Sequence, residues 1–351
     1  MQRILFVTGN LGKGGAQRVI TLLANAYAQK GWSTHIAALE KMKVSYEISN
    51  DISIHTLKKK GSNFRSIPIW IKGLRQIIKT VSPDIIVSFV GRVNLITMLA
   101  SGGLQIPVVL SERNDPQYDR RSKPEQWLCK AMYPKATKVV FQTNYQKEYY
   151  GKACAGNGVI VGNPIAAEEY NGAHESSDII CVGKLMAQKN HKMMISAFSR
   201  IAEKYPETNV HIYGEGKERS ALQSMIDSNG LNGRVILEGN CDAIFDVLHK
   251  NKFFVMCSDY EGLSNALLEA MISGMICVST DWNGVEDVIQ HGKNGYITPR
   301  RDDAKLAELL DQLLSNNNMS DVAANAIETA AKYELNEIIK IWFEEIESCI
   351  F

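Results

Sequence analysis

Short runs rich in Ile, Val and Phe, apolar on both faces, alternate along this chain with longer stretches of helical periodicity, and they do so in each half. In the first half "RILFVTG" leads into "QRVITLLANAYAQKG", then come "STHIAALE", "DIIVSFV", "PVVLSE" and "KVVFQT". In the second, "DIICVGKL" precedes "HKMMISAFSRIAEKYP", followed by "NVHIYGEG", "RVILEGN", "FFVMCSD" and "MICVSTD". A strand with no polar face must be covered on both sides, and strands separated by helices run parallel. The pattern therefore predicts an α/β chain of two Rossmann-like lobes. A length of 351 residues gives each lobe enough chain for its own core. The polar connector "AAEEYNGAHESSD" sets the boundary, giving lobes 1–165 and 166–330. Leu335, Ile338, Ile339, Trp342, Phe343 and Ile346 share one side of a helix in 331–351, which is expected to pack back on the first lobe.

Charge separates the lobes further. Residues 1–165 carry 23 Lys and Arg against 9 Asp and Glu, whereas residues 166–351 carry 16 against 29, so a net charge of +1 conceals +14 beside −13. A basic lobe attracts anionic lipid, phosphorylated ligands or nucleic acid, or simply neutralises an acidic neighbour. Nucleic acid is the weakest partner, because no recognition motif or stacking platform interleaves the basic residues. Apolar content of 45% excludes a disordered chain. No apolar run reaches the roughly 20 residues needed to span a bilayer, and "MQRILFVTGN" reads as strand and turn, not a cleavable signal, so a cytoplasmic protein is expected. The seven cysteines lack metal-ligand spacing and read as reduced, mostly buried thiols, and the histidines His191, His211, His249 and His291 read as surface or loop residues without a metal.

In open α/β sheets ligands bind beyond the carboxyl ends of the strands, so two facing lobes would share a site built from strand-end residues. "TGNLGKGGAQRV" follows the first strand without GxGxxG spacing, which disfavours a nicotinamide site. Gly14 and Gly15 at a helix start still let backbone approach a phosphate, or make a tight turn. "VGKLMAQKNH" places Lys184 and Lys189 where two ammonium groups can offset charge on a leaving diphosphate. "IYGEG" and "LEGN" end strands with Gly214 and Gly239, leaving flat space for a base. Finally, "SDYEGLSNALLEAMISGM" brackets a helix start at Ser264 with Glu261 and Glu269. It reads either as an anion site at the helix N-terminus or as a capped core helix with two solvated glutamates.

In order and spacing, "GKGGAQRV", "SERND", "VGNPI", "VGKLMAQKN", "YGEG", "LEGN", "EGLSNALLE", "DWNGVEDVI" and "HGKNGYITP" resemble glycosyltransferase family 4, retaining enzymes of the GT-B fold. The resemblance covers essentially the whole chain and is similar in kind to bacterial members that extend undecaprenyl-diphosphate-linked glycans, N-acetylgalactosaminyltransferases among them. It implies a nucleotide-sugar donor, UDP-linked by expectation, a lipid-linked saccharide acceptor and no catalytic metal. It further implies that Glu269 holds the ribose hydroxyls, that Glu261 contacts a sugar hydroxyl, and that the amides around Leu263, Ser264 and Asn265 hold the diphosphate. Lys184 and Lys189 match the family's basic pair. Gly214, Glu238 and Gly239 would line the base pocket, Gly14 and Gly15 would approach donor phosphate or acceptor, and Glu286 in "NGVED" matches a loop near the donor. Three positions depart from the family: Lys184 stands where Arg is frequent, Ser264 where Pro is frequent, and Arg113 where many relatives place His. Glu112, Arg113 and Asp115 are the acceptor candidates, with loop capping as the structural alternative for Glu112 and Asp115.

The segment 58–79, "KKKGSNFRSIPIWIKGLRQIIK", is basic and amphipathic. It is either a membrane-surface helix, placing the enzyme on the inner face of the cytoplasmic membrane, or a sheet-covering helix with snorkelling lysines. A nucleotide-sugar 2-epimerase and a non-catalytic sugar-nucleotide-binding protein are the competing functional readings.

Overall fold

The computed structural model describes residues 1–12, 14–58, 61, 63–118, 121–165, 174–316 and 318–350. The chain divides into two compact units, Met1–Pro164 with Asn336–Phe351, and Ile165–Leu335.

Unit 1 holds β1 (Arg3–Thr8), β2 (Ser33–Ala38), β3 (Ser53–Thr56), β4 (Ile85–Phe89), β5 (Val108–Ser111), β6 (Lys138–Phe141) and β7 (Gly158–Ile160). They form one sheet in the order β3-β2-β1-β4-β5-β6-β7, parallel throughout. Its helices are α1 (Gly15–Gln29), α2 (Asn63–Val81), α3 (Gly91–Ser101), α4 (Lys123–Met132) and α5 (Asn144–Tyr150). Trp70, Leu74 and Ile78 of α2, Val93 and Ile96 of α3 and Cys129 of α4 pack in one core with Leu5, Ile86, Leu110 and Phe141 of the strands. Full burial of a residue such as Leu74 or Ile78 stabilises by about 1.5–3 kcal/mol relative to exposure. The apolar face of 58–79 is therefore spent on the sheet. This corrects the membrane-helix reading of that segment, whose Lys59 and Lys60 lie outside the described residues. The C-terminal helix Leu335–Glu347 packs on unit 1. Trp342 stacks on Phe89 at 5.6 Å, Phe343 meets Tyr27 edge-on at 4.6 Å, and Glu347 and Glu345 pair with Lys30 and Lys138.

Unit 2 holds β8 (Ser176–Val182), β9 (Val210–Tyr213), β10 (Val235–Gly239), β11 (Asn251–Met256), β12 (Ile276–Thr280) and β13 (Tyr296–Thr298), again all parallel, in the order β10-β9-β8-β11-β12-β13. α6 (His191–Ser199), α7 (Arg219–Ser228) and α10 (Asp303–Leu314) share one core with the sheet, and α8 (Ile244–Lys250), α9 (Asn265–Ile272) and α11 (Ser320–Ala331) share a second. The return to unit 1 begins at Asn336 and not at 331, because α11 still buries Ala326 and Ala330 in unit 2. The two ends of unit 2 meet: the Ile165 N–H donates to the Tyr333 carbonyl at 2.9 Å. Among the described residues no helix is long and apolar enough to cross a membrane, and all seven cysteines are thiols outside any disulfide.

Candidate active site

The segment 258–275 folds around the start of α9. Ser264 is the N-cap, in extended backbone, and its Oγ accepts from the Leu267 N–H at 3.4 Å. Leu267, Leu268, Met271 and Ile272 point into the core, as the helical spacing requires. Both glutamates are buried, Glu261 at 8% exposure and Glu269 at 7%, so the reading in which they are merely solvated fails. Two buried carboxylates beside a capped helix start require polar partners.

Glu261 finds one on a neighbouring loop. Lys189 Nζ donates to Glu261 Oε1 at 2.6 Å. The surrounding bonds lock that geometry residue by residue. The Asp259 N–H donates to the Gln188 carbonyl (2.8 Å), Gln188 Nε2 donates to the Tyr260 carbonyl (2.8 Å), and Asn190 Nδ2 donates to Asp259 Oδ1 (3.3 Å). From behind, Arg301 Nη2 donates to Asp259 Oδ2 at 2.8 Å and Arg300 Nη1 to the Asp259 carbonyl at 3.1 Å. Arg301 holds a left-handed φ of 60° and Asn190 one of 46°. Left-handed backbone in a residue as bulky as arginine is strained, and such strain persists where surrounding contacts over-determine it. Asp259, Gln188, Asn190 and the two arginines were not singled out from the sequence. Their partners lie far along the chain, and only the proximity of Asp259 to Glu261 pointed to them.

The strand-end glycines permit a close approach of backbone. A Cβ on Gly214, at φ 142°, would lie 2.0 Å from the Gly183 carbonyl oxygen, and one on Gly216 would lie 2.1 Å from that of Leu185. The side on which a Cβ would stand at these two glycines is thus filled by the "VGKL" backbone. The Gly214 N–H donates to the Gly239 carbonyl at 2.6 Å, and that of Leu185 to the Glu215 carbonyl at 3.1 Å, fusing three strand ends into one platform. Lys184 is exposed on this platform. Glu238 pairs with His211 at 2.7 Å, with Asp178 on the other imidazole nitrogen at 3.4 Å. His211 thus sits between two carboxylates of the neighbouring strands and is not an isolated surface histidine. His191 also departs from the surface reading, being buried at the first position of α6. Burial, then the nearby Lys189 charge, push its ring down to about 4 against hydrogen bonds to the Gly183 and Lys184 backbone. Glu286 is exposed in a short turn and lines a separate polar cavity with Gln290, Asn294 and Lys332.

In unit 1, Gly14 is the N-cap of α1 and its N–H donates to the Tyr46 hydroxyl at 3.2 Å, while the space beside Gly15 is open. The loop after β5 carries Glu112, Arg113 and Asp115, all buried. Glu112 accepts from the Tyr133 hydroxyl (2.7 Å), Arg121 Nη2 (3.2 Å), the Tyr150 hydroxyl (3.3 Å) and the Arg113 N–H (3.1 Å). Four donors on one carboxylate make it a structural hub, so the acceptor role read for it gives way to the loop-holding alternative. Asp115 Oδ1 caps the Gln117 N–H at 2.8 Å. Arg113 is different. Its Nη1 donates to Asn163 Oδ1 at 2.8 Å, and its plane lies 5.0 Å from Phe89 and 5.4 Å from Trp342, but Nε and Nη2 are buried without partners. Burial pushes this guanidinium down to about 9, with Glu112 opposing.

Comparison with known proteins agrees with this architecture. Residues 13–169 match the family described as Glycosyltransferase Family 4, and residues 165–333 that described as Glycosyl transferases group 1. The chain is 24% identical, over 99% of its length and 98% of the relative's, to a Campylobacter jejuni GalNAc-alpha-(1->4)-GalNAc-alpha-(1->3)-diNAcBac-PP-undecaprenol alpha-1,4-N-acetyl-D-galactosaminyltransferase. Its fold is similar to that of sucrose-phosphate synthase from Thermosynechococcus elongatus, with a TM-score of 0.86, 15% identity and 99% of both chains covered. It is also similar to Anabaena HepE, solved with UDP and glucose, with a TM-score of 0.83, 16% identity and 99% of this chain and 100% of that one covered. Two all-parallel α/β units, each matched by its own glycosyltransferase family, make this chain a family 4 glycosyltransferase of the GT-B fold.

Proposed function

We propose that the enzyme moves a hexose or N-acetylhexosamine from a nucleotide sugar, with uracil as the base, to a polyprenyl-diphosphate-linked glycan, with retention at the anomeric carbon and on the cytoplasmic face of a membrane. The observation that carries this reading is the Lys189–Glu261 pair, held between two stitched loops at the start of the capped helix α9, with Glu269 buried farther along that helix. Glu269 takes the ribose hydroxyls and Glu261 a hydroxyl of the sugar. The diphosphate lies at the α9 N-terminus, where helix dipole and backbone amides favour an anion. Lys184 and Lys189 offset the charge that grows on the diphosphate as the C1–O bond breaks. The acceptor oxygen bonds C1 on the same face and its proton passes to the departing diphosphate oxygen, so no protein base is required. That route accords with the saturation of Glu112. Two lysines supply the positive charge, and transfer is expected to survive a chelator. The acceptor class follows the C. jejuni relative, whose name specifies an undecaprenol-linked glycan, and that name favours transfer over epimerisation.

Calorimetric titration of UDP, GDP and ADP into wild type, Glu269→Ala and Glu261→Ala tests the assignment. Selective UDP binding, lost in Glu269→Ala and kept in Glu261→Ala while transfer is abolished, is the expected result. Equal UDP affinity in wild type and Glu269→Ala would overturn the donor site.

A further inference from the structure

Two runs singled out in the sequence, "DWNGVEDVI" and "HGKNGYITP", take no part in the donor contacts proposed above. In unit 2 they meet α11 and the two residues after it, and together these line a polar cavity of about 240 Å³, small beside the roughly 300–1,000 Å³ of drug-sized sites. Its back wall is saturated. Asn294, 4% exposed, accepts through Oδ1 from the Gln290 N–H at 2.7 Å, and its Nδ2 donates to the Val288 carbonyl at 3.0 Å and the Thr329 hydroxyl at 2.9 Å. Asn325 Nδ2 donates to the Lys293 carbonyl at 3.0 Å. The turn beside it is equally fixed: the Gly292 N–H donates to the Gly295 carbonyl at 2.8 Å, and the Ile297 N–H to His291 Nδ1 at 3.0 Å.

The rest of the lining is unsaturated. Among the described residues, no hydrogen bond or ion pair engages the side chains of Gln290, Glu328 and Lys332 or the hydroxyl of Tyr333, all of which line the cavity. Burial, and then the Asp287 charge, hold that hydroxyl protonated above its ordinary range, so it both donates and accepts. Solvated polar side chains are common on a surface, but here an amide, a carboxylate, an ammonium group and a phenol surround one rigid hollow. The charges around it nearly cancel, Glu286, Asp287 and Glu328 against Lys293 and Lys332. Among the described residues no three His, Cys, Asp or Glu side chains converge as metal ligands would.

We infer that this cavity is a second saccharide-binding site, which takes one neutral pyranose through its neighbouring hydroxyls. Each sugar hydroxyl donates and accepts, and a carboxylate, an amide and an ammonium group in one recess answer both needs. A phosphate or carboxylate ligand would instead meet three acids, and an apolar ligand would strand the free polar groups. The site lies apart from the Lys189–Glu261 pair and contains none of its residues, so a sugar held here is bound without being transferred. The inference rests on the transfer reading only for the supply of such sugars, as free saccharide or as a unit of the glycan.

Ligand-observed NMR titration of the full chain, saturated with UDP, tests the site. The probes are the methyl α-glycosides of N-acetylgalactosamine and glucose and a lipid-free oligosaccharide of N-acetylgalactosamine. Saturable binding is expected, kept in Glu261→Ala and weakened about tenfold in Gln290→Ala and in Glu328→Ala. Both substitutions fall at exposed positions, so melting temperature and UDP affinity should not change, and Tyr333→Phe should weaken the sugar with its ring packing intact. Tighter binding of the oligosaccharide than of either glycoside would identify a unit of the glycan as the occupant, and equal affinity a free sugar; either sustains the site. No saturable binding in wild type, binding lost in Glu261→Ala but kept in Gln290→Ala and Glu328→Ala, or displacement of the sugar by inorganic phosphate would each overturn the proposal. Loss of UDP binding in wild type would instead strike the donor site, leaving the sugar titration, repeated without nucleotide, standing.

Discussion

Two carboxylate–cation pairs, one in each unit, resemble each other in composition and differ in saturation. Glu112 in unit 1 is 1% exposed and accepts from Arg121, two tyrosine hydroxyls and a backbone amide. The Tyr133 and Tyr150 hydroxyls are held protonated far above their ordinary range, by burial first and by Glu112 second. Glu261 in unit 2 is gripped by Lys189 on a loop whose geometry is fixed by bonds to its neighbours. A carboxylate that has filled its acceptor positions internally organises the fold. In the second pair the supports are aimed at the neighbours and the pair itself is sparsely bonded, which is what the donor contact proposed for it needs.

The largest expected effect separates the two pairs outright. Glu261→Gln should lower transfer by about 10²–10³-fold, the scale of losing one electrostatic contact to the reacting centre, and leave the melting temperature nearly unchanged. Glu112→Gln should do the reverse, costing about 3–5 kcal/mol of stability because Arg121 is left as a buried uncompensated charge. Paired activity and melting measurements decide it, and a stable but inactive Glu112→Gln would erase the distinction.

His191 sharpens the comparison through pH. Its folded pKa of about 4 lies below the unfolded value of about 6.5, so the fold favours the neutral ring. This stabilisation is complete above pH ~6.5 and is lost as pH falls toward 4, up to about 3 kcal/mol in all. Urea midpoints between pH 7 and 4 should fall with acidity in wild type and less steeply in His191→Gln. Parallel slopes would refute the buried-neutral assignment.

A smaller effect should divide the glycines. Gly216→Ala places a methyl on the Leu185 backbone and should cost about 1–3 kcal/mol, whereas Gly15→Ala, with open space at a helix start, should change stability by less than about 0.5 kcal/mol. Equal melting temperatures for the two would mean that the strand-end platform is looser than its bonds indicate.

The smallest effect concerns the brace behind Glu261. Arg301→Gly removes the left-handed strain at φ 60° together with the bond to Asp259, so stability should stay within about 1 kcal/mol. Transfer should fall about tenfold in kcat with little change in KM, as expected when positioning is lost, and Arg301→Lys should recover only part. A proportional rise in KM instead would assign Arg301 to substrate binding.

The parts of this arrangement legible in the sequence are those written in local pattern. The two-faced strands announced both sheets, and Ser264 announced the α9 cap because helix periodicity begins directly after it. The basic stretch 58–79 stayed ambiguous because an amphipathic helix looks the same whether a sheet or a bilayer covers it. Only burial of Trp70, Leu74 and Ile78 distinguishes the two. The glycines of "IYGEG" were visible, but their reason was not, since the obstructing carbonyls of Gly183 and Leu185 come from a strand some thirty residues earlier, in sequence terms far outside any turn pattern. Asp259 and Arg301 escaped notice for the same cause, and so did the tyrosine partners that tie Glu112 into the fold.

The meeting of Ile165 with Tyr333 and Glu334 has a consequence for engineering and descent alike. Unit 2 is a closed insert, with its incoming and outgoing strands of chain pinned together, and the C-terminal helix resumes unit 1 immediately afterwards. Such a segment can be exchanged as a cassette at two adjacent splice points without reopening the host's sheet. Recombination between relatives at these points would give chimaeras in which one protein's unit 2 is carried by another's unit 1.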